Sequence, residues 1–212
     1  MPMPGTSGGL RTTHYYVVTF LMWSVMMVGM MTPSVVPTVL LFDRVARRGD
    51  PAARVSRTMP FVAGYLVVWL VFSTVATALQ VELIGAGWID AMGVAARPWF
   101  TAALLTVVGV YQWLPAKRAC LERCRSPAQF LVEAYRPGAA GALRMGMGHG
   151  LFCLGCCWGL MLLLFIGGVM NLLWVAVLAA AVFVEKILPG GEWLRRAIGV
   201  IALVAAAASL TL

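Results

Sequence analysis

Six stretches of the chain, at about 14–34, 60–80, 99–115, 149–166, 170–187 and 197–212, approach the roughly 20 apolar residues that a helix needs to cross a bilayer core about 30 Å thick. In lipid each backbone N–H and C=O must be satisfied within the spanning structure, which leaves helices as the form for such stretches. Only 11% of the 212 residues are charged, against about a quarter in soluble domains, and 61% are hydrophobic. The sequence therefore predicts an all-α, polytopic transmembrane helix bundle of about six spans, a single integral membrane domain over 1–212 with the lipid bilayer as its main surroundings. The run from His149 to Leu188 has no charge before Glu185 and would be about 60 Å long as one helix. It must fold back, and Gly167-Gly168 is the natural hairpin. The opening "MPMPGTSGGLRTTHYY" has the Arg and following apolar run of a signal peptide. That run is long enough to span, however, and "MMTPSVVP" follows it without an Ala-x-Ala-like site, so a retained first helix is expected.

The formal net charge of +8 takes its meaning from where the basic residues fall. Segment 43–58 carries Arg44, Arg47, Arg48, Arg54 and Arg57; segment 116–148 carries Lys117, Arg118, Arg123, Arg125, Arg136 and Arg144; segment 185–196 carries Lys186, Arg195 and Arg196. Fourteen of sixteen basic residues thus fall on one face of a six-span topology, and Arg11 and Arg97 fall elsewhere. The positive-inside rule places that face in the cytoplasm and both termini outside. Nucleic acid is not an expected partner, because no aromatic residues interleave the charges as a basic recognition stripe would require.

This topology sets "MGMGHGLFCLGCCWG" (145–159) at the cytoplasmic entry of the fourth span. Positions three and four apart share a helix face, so Met145, His149, Cys153 and then Cys156 or Cys157 form one descending stripe. Thiolate, thioether and imidazole are soft ligands that select Cu(I) or, with less thioether, Zn(II) or an iron–sulfur cluster. In "KRACLERC", Cys120 and Cys124 stand four apart just past the third span, and Lys117, Arg118, Arg123 and Arg125 around them favour thiolate. The segment "CLERCRSPAQFLVEAYRP" between spans three and four reads as an amphipathic cytoplasmic stretch that folds back. It would bring Cys120 and Cys124 to His149, Cys153 and Cys156 or Cys157, since ligands on one straight helix cannot surround an ion. The alternative is packing: cysteine is a small hydrophobe, and Gly146 with Gly150, and Gly155 with Gly159, suit close helix contact.

In the first span, Met22, Met26 and Met30 lie four apart and Met27 and Met31 make an adjacent row. Met26, Met30 and Met31 are candidate path-lining thioethers, although such a row also serves as flexible filler. Pro33 and Pro37 free backbone carbonyls that neighbours or a polar cavity must satisfy, so unwound backbone is expected there, with Thr32 and Ser34 facing a site. Gln112 ends the third span at the depth of the cysteines, as a lining residue or interhelical hydrogen-bond partner. Glu185 and Lys186 read as a surface ion pair, Gln80 and Asn171 as caps or helix glue, and His14 as interfacial. The sequence has no glycine-rich phosphate loop, HExxH pair or nucleophile elbow, so ATP is not an expected partner and the reading leans away from an enzyme. All five cysteines fall on the reducing side and are expected to be free thiols.

With these residues in view, the chain resembles the bacterial family of predicted metal-binding integral membrane proteins, a domain of unknown function. The likeness rests on "MMTPSVVPTVLLF", "GYLVVWLVFSTVATALQ", "YQWLPAKRACLERCRSP", "RMGMGHGLFCLGCCWGLMLLLFIGGVMNLLW" and "EKILPGG". It implies a polytopic fold in a bacterial inner membrane and a metal site at Cys120, Cys124, His149, Cys153, Cys156 and Cys157. The function expected from the sequence is handling of a soft metal, a copper ion first, with zinc or an iron–sulfur cluster as alternatives. The ion would be transported or delivered to a membrane or cytoplasmic metal-handling partner. A thiol redox or cluster-holding subunit, and a structural helical subunit of a larger complex, are the competing classes.

Overall fold

A computed structural model of the protein describes residues 13–47, 57–187 and 192–211. Arg11, Arg48, Arg54, the "LPGG" stretch at 188–191 and Leu212, all of which enter the sequence reading, lie outside the described residues. Among the described residues the architecture is helical throughout, with one isolated bridge between Ile89 and Ala95. Helix α1 covers Thr13–Arg47, α2 Met59–Gly85, α3 Pro98–Trp113, α4 Pro115–Arg125, α5 Pro127–Glu133, α6 Gly138–Met161, α7 Leu164–Gly167, α8 Leu172–Ile187 and α9 Glu192–Ser209.

Prolines punctuate this order. Each of α2, α3, α4 and α5 opens with a proline in its first turn, where the missing N–H has no intrahelical acceptor to lose. At Pro115 the chain turns through 64° between α3 and α4. The hairpin expected at Gly167-Gly168 is present, and Gly168 takes φ +91°, a left-handed conformation suited to glycine. Asn171 caps α8 by accepting from the Trp174 N–H at 3.2 Å. Gln80 is the expected glue, its Oε1 accepting from Trp23 Nε1 at 2.7 Å in the interior.

Among the described residues, three segments are long and apolar enough to cross a membrane, at 13–46, Met59–Gly85 and 138–167, and α3 with α4 is a fourth if the bent pair is one span. Six spans are therefore not supported. Helix α8 has 16 residues, about 24 Å against a core of about 30 Å. Helix α9 has 18 residues but spends its first turns on Glu192, Arg195 and Arg196, which leaves too short an apolar remainder. The fourth expected span also begins earlier, at Gly138 rather than near His149, because Arg144 and four interspersed glycines made its first three turns read as loop. Helix α1 runs unbroken through Pro33 and Pro37, so the unwound backbone expected there does not occur.

Close approach of α2 to α6 depends on two glycines. A Cβ on Gly64 would run into the Leu143 carbonyl, and one on Gly146 would run into the Phe61 carbonyl, so the two backbones touch where small residues allow it. The core that results has two parts. Trp23, Met27, Met31, Trp69, Cys153, Cys156 and Cys157 belong to the larger, and Phe42, Phe61, Phe130 and Met145 to the smaller.

Candidate metal centre

The 64° bend at Pro115 swings α4 back against α6, as the folding back of the amphipathic segment anticipated. Cys124, at the far end of α4, meets Cys156 on α6, with the two sulfurs 3.9 Å apart. All five cysteines are free thiols. One turn up α6, Cys153 Sγ receives Lys186 Nζ from α8 at 3.0 Å and lies 3.2 Å from the Tyr65 hydroxyl of α2. The same ammonium reaches Ser34 Oγ at 3.1 Å and Met31 Sδ at 3.9 Å on α1. Sulfur, hydroxyl and ammonium groups from α1, α2, α4, α6 and α8 thus gather along one side of α6.

The other expected ligands lie in different settings. Cys156 and Cys157 both donate to the Cys153 carbonyl at 3.0 Å, which turns Cys157 into the core, where it is fully buried. Cys120 is half-buried and rests against Gly155, whose missing Cβ makes the room. His149 is buried among the rings of Phe61, Tyr65 and Phe130; its Nε2 has only a long 3.5 Å contact with Thr38 Oγ1, and its Nδ1 has no partner among the described residues. Met145 Sδ accepts from the Arg136 N–H at 3.4 Å, in the smaller core cluster. Met26 and Met30 face the apolar side of α1, while Met31 is the thioether that reaches the Lys186 group. Ser34 does face the site; Thr32 instead bonds back to the Val28 carbonyl on the exposed side.

Glu185 and Lys186 do not form the surface pair expected of them, since both are buried and each faces a different partner. Lys117 Nζ donates to both Glu185 oxygens at 2.9 Å and to Gln112 Oε1. Arg125 donates to the Glu185 carbonyl, and Arg195 to the Gln112 carbonyl. Gln112 thus serves as the hydrogen-bond partner expected of it, joining α3 to α4 and α9. Sequence reasoning passed over Lys117, Lys186 and Tyr65 as members of this centre. One signal was available: among sixteen basic residues only these two are lysines, and both are buried.

A family model described as a copper chaperone, PpoB2, matches residues 20–209. The chain belongs to the PpoB2 family. The PpoB2 match takes in both cysteine motifs, the Met-Pro stretch of α1 and the Glu185-Lys186 pair. No curated protein and no solved structure matches the chain significantly. Among the described residues, no three His, Cys, Asp or Glu side chains converge as a ready-made cage. The donors nonetheless suit the ion named by the PpoB2 family: thiols and a thioether are soft, and the buried, unpartnered Nδ1 of His149 is a nitrogen donor without an occupation.

Proposed function

We propose that this chain is a membrane-embedded Cu(I) chaperone that holds its cargo between Cys124 and Cys156, with Cys153 and Met31 as flanking sulfur donors. The carrying observation is the 3.9 Å separation of the Cys124 and Cys156 sulfurs across two helices without a disulfide between them. With metal–sulfur bonds of about 2.3 Å, two sulfurs on one ion stand about 3.8 Å apart in tetrahedral and about 4.6 Å apart in linear geometry. The observed gap lies inside that window. Two thiolates suffice for Cu(I), whereas structural zinc and cubane clusters use four ligands; copper is thus favoured over zinc or an iron–sulfur cluster.

Membrane placement is part of this reading. Long helices α1, α2 and α6 keep large aliphatic residues exposed, among them Val25, Val71, Val75 and Leu151, as a lipid-facing surface would. The arginines of 43–58 and 116–148 then set the thiol site near the cytoplasmic side of a bacterial inner membrane. Trypsin should cut the 116–148 segment in inside-out vesicles and leave it intact in right-side-out ones.

Cargo binding is tested by titrating purified, reduced protein with Cu(I) against a chromophoric Cu(I) chelator. One ion per chain is expected, with affinity falling at least about a hundredfold in Cys156→Ser, since a hydroxyl is a poor ligand for a soft ion. Unchanged stoichiometry and affinity in Cys124→Ser and Cys156→Ser would remove the proposed site.

A further inference from the structure

Two openings meet beside α5, one basic and one apolar. The basic cavity, about 530 Å³, is lined by Arg123 of α4, Glu133 of α5, Arg136 of the loop that follows and Arg144 of α6. The apolar groove, about 380 Å³, runs between Leu41, Phe42 and Val45 of α1 and Ala128, Leu131 and Val132 of α5. Tyr135 and Met145 line both, so the two share a wall. The one carboxylate in the cavity is already engaged: Arg123 pairs with Glu133 at 3.2 Å while lying over the Phe152 ring. The side chains of Arg136 and Arg144, both exposed, enter no ion pair among the described residues. Beside them Val132, an aliphatic residue in a charged segment, is 81% exposed.

We propose that this pair of openings binds one anionic phospholipid, with its phosphate on Arg136 and Arg144 and an acyl chain in the groove between α1 and α5. The proposal rests on the membrane placement read above and is independent of the copper site. Guanidinium groups are permanent cations whose forked donors match phosphate oxygens, and an acyl chain needs an apolar wall; here one molecule can reach both. The groove lies at the end of α1 that carries Arg44, the level of the cytoplasmic leaflet under the positive-inside rule. Basic pockets between helices at that level take anionic headgroups. A zwitterionic headgroup would bring its own cation into a cavity that is already positive. A free phosphate would satisfy the arginines but leave the groove unfilled.

Purified protein in non-ionic detergent is incubated with phosphatidylglycerol or phosphatidylcholine of identical chains, and retained lipid is counted by native mass spectrometry over a concentration series. One phosphatidylglycerol per chain is expected, bound at least about tenfold more tightly than phosphatidylcholine. Arg136→Gln/Arg144→Gln should bring that preference to within about twofold. Arg118→Gln/Arg196→Gln, which removes two exposed arginines elsewhere, should leave it intact. Val45→Gln/Val132→Gln, at two exposed groove positions, should weaken both lipids alike; unchanged affinity there would overturn the chain groove. Equal loss in the two arginine pairs would mean general attraction to a basic face and would overturn the site. So would competition by glycerol phosphate at the same concentration as the lipid, because a headgroup alone would then suffice. Membrane-extracted protein without a headgroup preference removes the site and leaves the membrane placement standing, whereas protein recovered in the soluble fraction removes both.

Discussion

Lys117 Nζ stands 2.9 Å from both carboxylate oxygens of Glu185, tying α4 to α8 through an ion pair in which each side chain is at most 2% exposed. Removing one partner of a buried pair leaves the other charge without compensation, at a cost of roughly 3–5 kcal/mol. Lys117→Met and Glu185→Gln should each lower the melting temperature in detergent sharply, as followed by size-exclusion recovery after heating. The double variant should lose less than the sum of the two singles. Additive losses would mean that the pair contributes no coupling of its own.

The α2–α6 crossing should tolerate no side chain at its glycines. Gly146→Val must push against the Phe61 backbone carbonyl, and overpacking of this kind costs about 3 kcal/mol or more when backbone has to move. A Cβ on Gly148, two residues along the same helix, would meet nothing within 4 Å. Gly148→Ala should therefore leave folded yield unchanged, and comparing the two variants by yield and melting temperature isolates the crossing from any general effect of removing a helical glycine.

Cys124 and Cys156 should be the first pair to oxidise, being the two sulfurs that approach across helices. Native membranes should give five alkylated thiols after denaturation, and mild oxidant should remove two of those labels, mapped by mass spectrometry to these positions. Prior loading with Ag(I) should protect them. Loss of two labels without added oxidant would favour the dithiol–disulfide class of function instead.

Cys120→Ser should reduce Cu(I) affinity by less than about tenfold, whereas Cys124→Ser should behave like Cys156→Ser. Cys120 rests on Gly155, while Cys124 points to the opposing thiol. The double variant Cys124→Ser/Cys156→Ser should be no worse than either single one, because a two-sulfur site fails when one sulfur is lost. Equal losses in Cys120→Ser and Cys124→Ser would place both on the ion.

Much of the helical order was legible because apolar length and proline position are local signals: Pro60, Pro98, Pro115 and Pro127 each stand in the first turn of a helix. The hairpin at Gly168 was readable for the same reason. The count of spans was not, since α8 and α9 are apolar enough to suggest crossing but differ from the others in length and in charge at one end. At the candidate centre, the approach of α4 to α6 followed from the break at Pro115 and the amphipathic stretch after it. The roles of Glu185 and Lys186 did not follow, because adjacent residues on a helix point about 100° apart and their partners, Lys117 and Cys153, are remote in sequence. Spacing within one helix carries no information about such partners.

The bend at Pro115 gives the sulfur pair an asymmetric mechanical setting. Cys156 rides on α6, which is wedged into α2 by backbone contact at Gly64 and Gly146, while Cys124 hangs from the far arm of an elbow whose joint is Leu114-Pro115. One jaw of this clasp is held by backbone contact and the other by side chains alone, Lys117 and Arg125 on Glu185. In the proposed release, opening it would mean parting those side-chain ties and turning a single eleven-residue lever.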